Sequence, residues 1–466
     1  IPLGDMIKII PKAIRGLSPR DYEQLFTEYS NKEGHTPCLL FLYLHGGYKE
    51  MWDKPHLQDP ALPRNISAYV RESIDKGWSK VHPPEDRSPK AYIFTGGNPL
   101  RRWPSPQVAK EHLWPKFEMI VSVNFRMSTS ALFSDYVLPV AAYYEKYGIK
   151  YAQTYVPYII CSDKATEPLG ESKSDWETFG LLSKAVAERA KARGVTLVRG
   201  LKDKQFDLSK VYDVHTHNGK YDPTDPEDPV KLMDAIFAGS PSVGANSGRE
   251  ALQMGAVPIL GTGRPSLIDQ NYTTYDPKDT HWPHRDFVEK KIAWPTLTGR
   301  QQFYIDHPWF IEGGESLPVW KDSPHMHSKY PLRMYGGHNR WSIHAVWRDV
   351  KMLLRLQRGQ PICWMNPAET VTRNIKDGDM VRVFNDNGTF ECMVKVSAMT
   401  APGEIIVYHA WEPYQFKKWQ GNQQPVEAPW KALHLAGGYA QLHWRVYYGG
   451  PNHGPRGAPI QVEKIS

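Results

Sequence analysis

The chain has 466 residues, of which 41% are apolar, 12% aromatic and 23% charged, the balance of a folded globular protein and not of a disordered one. Lys and Arg number 57 against 50 Asp and Glu, a formal charge of +7, too slight for the clustered basic footprint of a nucleic-acid binder. Mean hydropathy is −0.54, and the most apolar run, Cys38 to Leu44, is far too short to cross about 30 Å of hydrocarbon.

No membrane span is therefore expected. The four cysteines (Cys38, Cys161, Cys363, Cys392) form no CxxC pair, which argues against a disulfide scaffold, a zinc ribbon or a cysteine-bound iron–sulfur cluster in this stretch. A chain of this length predicts about two to four domains. It begins at Ile1 with no initiator Met, signal peptide or transit peptide, and is expected to be a fragment or a chain whose beginning was not included.

In chain order, residues 1–90 read as mixed structure. Ser18-Pro19 followed by Asp21 and Glu23 predicts a helix start. Cys38–Leu44 predicts a buried strand, and Ser67–Trp78, with Val70, Ile74 and Trp78 at four-residue spacing, an amphipathic helix. Over 91–200, strands are predicted at Ala91–Phe94, Met119–Val123 and Asp135–Pro139. Helices are predicted at Gln107–His112, Ser128–Ser134 and Ser174–Arg193. Short apolar strands separated by helices imply an α/β class with a covered parallel sheet. Residues 201–330 carry a Pro/Asp-rich connector, a helix over Val230–Ala238 and long loops from Gly261 to Pro324. Residues 331–466 change character. Met380–Phe384 and Phe390–Val396 alternate with period two around Asp386-Asn387-Gly388, whose Asn-Gly pair predicts a positive-φ hairpin turn. With a turn at Asp377-Gly378 and a strand at Glu404–Tyr408, this region predicts a small β-barrel.

Two clusters stand out chemically. Gly96-Gly97-Asn98-Pro99 follows a strand and precedes Arg101 and Arg102; such a turn can face a phosphate, and guanidinium forks suit that anion. A plain tight turn explains the glycines about as well. Gly336–His344 places His338, Arg340, Ser342 and His344 within nine residues, donors suited to a polar heterocycle and its phosphate. A metal on His338 and His344 lacks an obvious third ligand. Tyr408–Glu412 and Gly437–His443 add further His and aromatic positions, which read in isolation as ordinary packed residues. No Walker A loop, HExxH helix, GxSxG elbow or EF-hand occurs.

Asn124-Phe125-Arg126-Met127-Ser128-Thr129, Ser134–Pro139 and Tyr144-Glu145-Lys146 resemble the molybdopterin oxidoreductases of the dimethyl sulfoxide reductase family. Glu171–Glu177 is similar to its type II branch. Gly336–His344, Leu356–Gly359, Asn366-Pro367 and Leu435–Leu442 resemble the same family's dinucleotide-binding domain and branch. Asn98–Pro104, Tyr147–Gln153 and His409–Phe416 are most similar to the ethylbenzene dehydrogenase and dimethyl sulfide dehydrogenase group.

The resemblance implies an α/β fold. A partial α/β region (1–90) leads into a Rossmann-like domain (91–200), a loop-rich channel or interface region (201–330) and a double-psi β-barrel (331–466). It implies a Mo-bis(molybdopterin guanine dinucleotide) cofactor, with a 4Fe–4S cluster and the metal-ligating residue in an N-terminal half. It also implies an iron–sulfur β subunit, a haem b γ subunit and a periplasmic location. Gly97, Asn98, Asn124, Arg126, Ser128, Asp135, His338, Arg340, Ser342, His344, Asn366 and Gln441 carry over as cofactor contacts; no catalytic residue or metal ligand does.

By the same resemblance the expected reaction is water-dependent hydroxylation of an alkylaromatic or similarly apolar substrate. Trp282, Trp294, Trp309 and Trp320 are candidates to line its channel. Nitrate, selenate or chlorate reduction, or dimethyl sulfide oxidation, is the alternative. A scaffold relative that has lost molybdenum is the rival from another class.

Overall fold

The structure is a computed structural model. It describes residues 36–151, 158–199, 205–240, 243–259, 278–279, 282, 284–294, 299–301, 303–323, 328–342, 344, 346–409, 411–437 and 456–465. The helix start expected at Ser18 and the candidate Gln441 lie outside them. The chain divides into two compact units, the first Ile1–Ser122, Met127–Val137 and Gln302–Ser466, the second Val123–Arg126 and Leu138–Gln301.

In the first unit the Leu-rich run is a helix, α1 (Cys38–His45), and not the expected strand. It contains no β-branched residue, and leucine is a strong helix former. A short apolar run is also ambiguous by periodicity alone, and this one is buried at Leu39, Leu40, Leu42, Tyr43 and His45. It packs in a core with Trp52, Tyr69, Trp309, Trp430 and Leu433. Helix α2 (Ile66–Asp75) starts at Asn65, whose side chain accepts from the Ala68 amide at 3.0 Å, the N-cap arrangement that satisfies an orphan donor. It ends before Trp78, which packs edge-on against Trp309 instead.

Strands β1 (Ala91–Thr95), β2 (Met119–Asn124) and β3 (Tyr136–Pro139) form a parallel sheet in that order. Between them run the helical turn α3 (Pro99–Arg102), which the sequence pattern does not predict, and helix α4 (Pro106–His112) and the turn α5 (Thr129–Leu132), which it does.

The second unit holds the antiparallel strands β4 (Gly148–Tyr151), β5 (Tyr158–Ser162) and β8 (Ala256–Pro258), with the two-stranded β6 (Leu197–Arg199) and β7 (Gln205–Asp207). Its longest helix is α6 (Asp175–Arg193), capped by the Ser174 hydroxyl and closed by Gly194 at φ +65°. Helices α7 (Asp228–Ala238) and α8 (Gly248–Met254) supply Met233, Phe237 and Ala251 to its core.

The expected barrel is present. Six strands close in the order β10 (Ile362–Met365), β12 (Gly388–Val396), β11 (Met380–Asn385), β14 (Arg456–Lys464), β9 (Leu332–Tyr335) and β13 (Glu404–Val407). Val381, Val383, Phe390, Cys392, Val394, Ile405 and Val407 alternate inward and fill it. The β11–β12 hairpin pairs Asn385 with Gly388 across Asp386-Asn387, but no residue of this turn has positive φ. The Asn385 carboxamide oxygen instead accepts from the Asn387 and Gly388 amides at 2.9 and 3.3 Å, an Asx-turn. Glycine is required at 388 for space: a Cβ there would lie 2.7 Å from the Gln424 carbonyl oxygen.

Candidate functional site

The site grows from the end of β1. Gly96, at φ +59°, turns the chain into α3, a conformation glycine adopts without penalty. Gly97 is not in the positive-φ region, and an added Cβ would meet nothing closer than 3.8 Å. Asn98 then makes bonds on both sides of its carboxamide. Its oxygen accepts from the Ser130 amide (3.2 Å) and hydroxyl (2.8 Å), and its nitrogen donates to both oxygens of Glu412, at 2.8 and 3.0 Å.

Glu412 is fully buried. One of its oxygens also accepts from the Thr129 amide (3.1 Å) and hydroxyl (2.7 Å). Its own amide donates to Gln415 Oε1 at 2.9 Å, completing a capping box around Pro413. Gln415 Nε2 in turn donates to the Arg348 carbonyl at 2.8 Å. Three distant stretches (96–98, 128–130 and 409–415) are thereby tied to one carboxylate.

Arg348 is the second node. Its side chain is buried, lies 4.1 Å over the Trp411 ring, and donates to the Gln357 amide oxygen and, at 2.9 Å, to the His409 carbonyl. Among the described residues its Nε has no hydrogen-bond partner. Burial, and then the charge of Arg101, lower its pKa to about 10.

The imidazoles of His338, His344 and His409 cluster at the same place, with ring centroids 4.5–5.2 Å apart and His344 Nδ1 3.1 Å from His409 Nε2. The expectation that His338 and His344 lack a third companion is thus corrected: His409 joins them, and one nitrogen from each lies within 4.8 Å of the others. Burial, His338 and Arg101 pull His409 down to about 4. Burial, His338, Arg101 and Arg102 also hold His344 below the ordinary imidazole range. Surroundings built of guanidinium and imidazole disfavour a cation and favour an anion.

The other expected contacts divide clearly. Ser128 caps α5, its hydroxyl accepting from the Ala131 amide at 3.2 Å. Asp135 accepts from the Ile120 amide at 2.7 Å. Asn366 accepts from Ala368 N at 2.9 Å and donates to the Thr400 carbonyl at 2.6 Å. These three hold backbone in place. Asn124 is buried at the end of β2, its carbonyl accepting from the Val140 amide. Arg126 is half-buried in the second unit. Ser342 is buried beside the cluster in sequence, and Arg340 is exposed over the Trp341 ring at 5.1 Å.

Sequence reasoning missed Arg348 and the role of Glu412. Glu412-Pro413-Tyr414-Gln415 carries an acid, a proline and a Gln at capping-box spacing, a signal that could have found the second. Trp347-Arg348-Asp349 carries no such signal.

Two family descriptions match this chain. Residues 49–185 match the molybdopterin oxidoreductases, and residues 332–426, spanning β9 to the Glu412 loop, match the molybdopterin dinucleotide binding domain. The chain carries a molybdopterin oxidoreductase domain and a molybdopterin dinucleotide binding domain. It is 36% identical to the respiratory nitrate reductase α subunit of Haloferax mediterranei over 82% of its length and 38% of that protein. It is 33% identical to the perchlorate reductase α subunit of Dechloromonas aromatica (94% and 45%), and 29% identical to the dimethylsulfide dehydrogenase α subunit of Rhodovulum sulfidophilum (85% and 42%). The chain thus spans less than half the length of these relatives. Acetylene hydratase from Pelobacter acetylenicus shares the fold at a TM-score of 0.52 and 15% identity, over 94% of this chain and 53% of that one. The site suits a dinucleotide's phosphates: it presents guanidinium and imidazole groups, and its central carboxylate is turned inward and saturated by donors. No helix among the described residues is long and apolar enough to cross a membrane.

Proposed function

We propose that this chain is the portion of a molybdenum-dependent oxidoreductase α subunit that holds the tail of a molybdopterin guanine dinucleotide cofactor. The carrying observation is the convergence of Arg101, Arg102, Arg348 and three imidazoles beside a glycine turn locked by Glu412. The Gly97–Asn98 turn, His338, Arg340, Ser342, His344 and His409 are the proposed contacts. Ser128, Asp135 and Asn366 fix the backbone around them.

When bound, molybdenum supplies the two-electron chemistry of oxygen-atom or hydroxyl transfer. The chain's own contribution is to bind and orient. Arg348, too buried to touch a ligand, adds positive potential behind the imidazoles. His344 and His409, kept neutral at pH 7, can each donate or accept one hydrogen bond. An iron–sulfur partner subunit would accept the electrons, the 4Fe–4S site and metal ligand would lie in the rest of the subunit, and the complex would be periplasmic.

For the substrate, the relatives named for nitrate and perchlorate reduction favour an oxyanion. The aromatic support for an alkylaromatic substrate is weaker than the sequence implied. Trp309 is 1% exposed and packs with Tyr69 and Trp78, so it belongs to the core. Trp294 stacks on Phe287 with centroids 4.1 Å apart. Similarity to dimethylsulfide dehydrogenase keeps oxidation of a small neutral compound as the second reading.

The test uses the complete subunit with its partners: molybdenum and guanine nucleotide content first, then nitrate, chlorate and perchlorate reduction beside ethylbenzene and dimethyl sulfide oxidation. One molybdenum per complex with oxyanion turnover is the expected result. A complex without molybdenum overturns the cofactor reading, and ethylbenzene or sulfide oxidation alone overturns the oxyanion reading.

A further inference from the structure

We propose that Glu412 is a positioning residue for the cofactor. Its buried carboxylate holds the Gly96–Asn98 turn and the Ser128–Ser130 turn in the one arrangement that receives the dinucleotide. The inference rests on the cofactor reading above and adds a device to it.

The geometry is unusually complete for a buried acid. Both oxygens accept, one from Asn98 and the other from Asn98, Thr129 N and Thr129 Oγ1, at 2.7–3.1 Å. A carboxylate surrounded by donors is stable in its charged form where an amide would not be, since an amide offers only one accepting oxygen. The donors are specific as well. Asn98 must aim its nitrogen at Glu412 because its oxygen is already taken by Ser130 N and Oγ. The Ser130 amide can only donate, so Asn98 cannot flip without opposing that donor and turning its own oxygen toward the carboxylate. Glu412 therefore fixes the rotation of Asn98, the residue that follows Gly97. The Leu100 amide, in the next turn, donates to the same Ser130 hydroxyl at 2.9 Å. Through the capping box and Gln415, the carboxylate also sets the segment that carries His409 and its bond to Arg348.

The arrangement predicts its own rescue. Glu412→Gln turns one oxygen into a donor facing the Asn98 NH2, which already donates. The added change Asn98→Asp puts the carboxylate on the other side of the pair. The carboxylate at position 98 then accepts from Ser130 and from the new amide nitrogen at position 412. That amide's oxygen accepts from Thr129, so the Thr129 and Ser130 donors and the bond between positions 98 and 412 are again matched.

In the complete subunit, Glu412→Gln should lower molybdenum and guanine nucleotide content at least fivefold. It should also speed nucleotide release at temperatures below the unfolding transition. The double variant Asn98→Asp/Glu412→Gln should restore both to within twofold of the parent. A fall in unfolding temperature alone, with content and release unchanged, overturns the proposal. So does a Glu412→Gln loss that the double variant does not repair. A parent subunit that holds no molybdenum instead overturns the cofactor reading, a result visible before any variant is made.

Discussion

His409 offers the sharpest check on the electrostatics of the site. Its ring is half-buried against His338, His344 and the positive charge of Arg101, and burial is the largest of these influences. Together they move its pKa from 6.5 to about 4 in the folded chain. For a base whose folded pKa is depressed, the unfolded chain binds the proton first. The stabilisation is therefore present above pH 6.5 and is lost as pH falls toward 4. The full displacement corresponds to about 3 kcal/mol, which solvent screening at a half-buried ring reduces to about 1–2 kcal/mol. Imidazole carbon resonances of the cofactor-free complete subunit, followed from pH 8 to pH 4, measure the titration directly; urea unfolding at the two ends of the window measures the stability. His338→Gln should raise the His409 midpoint more than Arg101→Gln does, in the order of their influence. A His409 that titrates near 6.5 in the native subunit, with both variants silent, would refute the picture of a crowded, electropositive cluster.

Three further outcomes follow from named contacts. Arg348→Met should destabilise the subunit by about 2–4 kcal/mol in denaturant unfolding, because it removes two charged hydrogen bonds and leaves the His409 carbonyl and Gln357 oxygen without their donor. Gly388→Ala should cost about 1–3 kcal/mol by the same measurement, since its Cβ would meet the Gln424 backbone; an unchanged midpoint would mean that the barrel hairpin yields freely. Arg340→Ala should reduce cofactor content roughly tenfold, at about 1.5–3 kcal/mol for a lost charged hydrogen bond, while the unfolding midpoint holds because the side chain is exposed; full molybdenum content would remove Arg340 from the site.

The parts of the fold that the sequence made legible are those fixed by local pattern. The β11–β12 hairpin shows as two period-two runs about a turn, and α6 shows its Ser174 cap and Gly194 stop. Where a local pattern is degenerate, tertiary packing decides. Cys38–Leu44 is expected as a strand, yet the run forms a helix whose side chains, none of them β-branched, are surrounded by Trp52, Trp430 and Leu433. The Asn-Gly pair predicts a positive-φ turn, but the fold uses Asn385 earlier in the chain for the turn and Gly388 for its lack of a side chain. At the site, the histidines and arginines were visible as residue types. Their grouping was not, because His338, His344 and His409 come together only when β9 and β13 pair in parallel.

That dependence on pairing bears on why the centre of the site is a buried acid. Asn98, Thr129, Arg348 and Glu412 lie far apart in sequence, and each separately belongs to a short turn with little stability of its own. Apolar packing would hold such turns near one another but would leave their rotation free, since the hydrophobic effect has no direction. Hydrogen bonds to one carboxylate specify direction as well as distance, and a mismatched donor at a buried site costs about 1–3 kcal/mol. Burying the charge is tolerable only because four donor contacts surround it. Those donors are neutral and leave the negative charge of Glu412 in place, so the sign of the potential at the cluster depends on the guanidinium groups of Arg101, Arg102 and Arg348. An acid can therefore sit at the structural centre of an anion site where cations outnumber it.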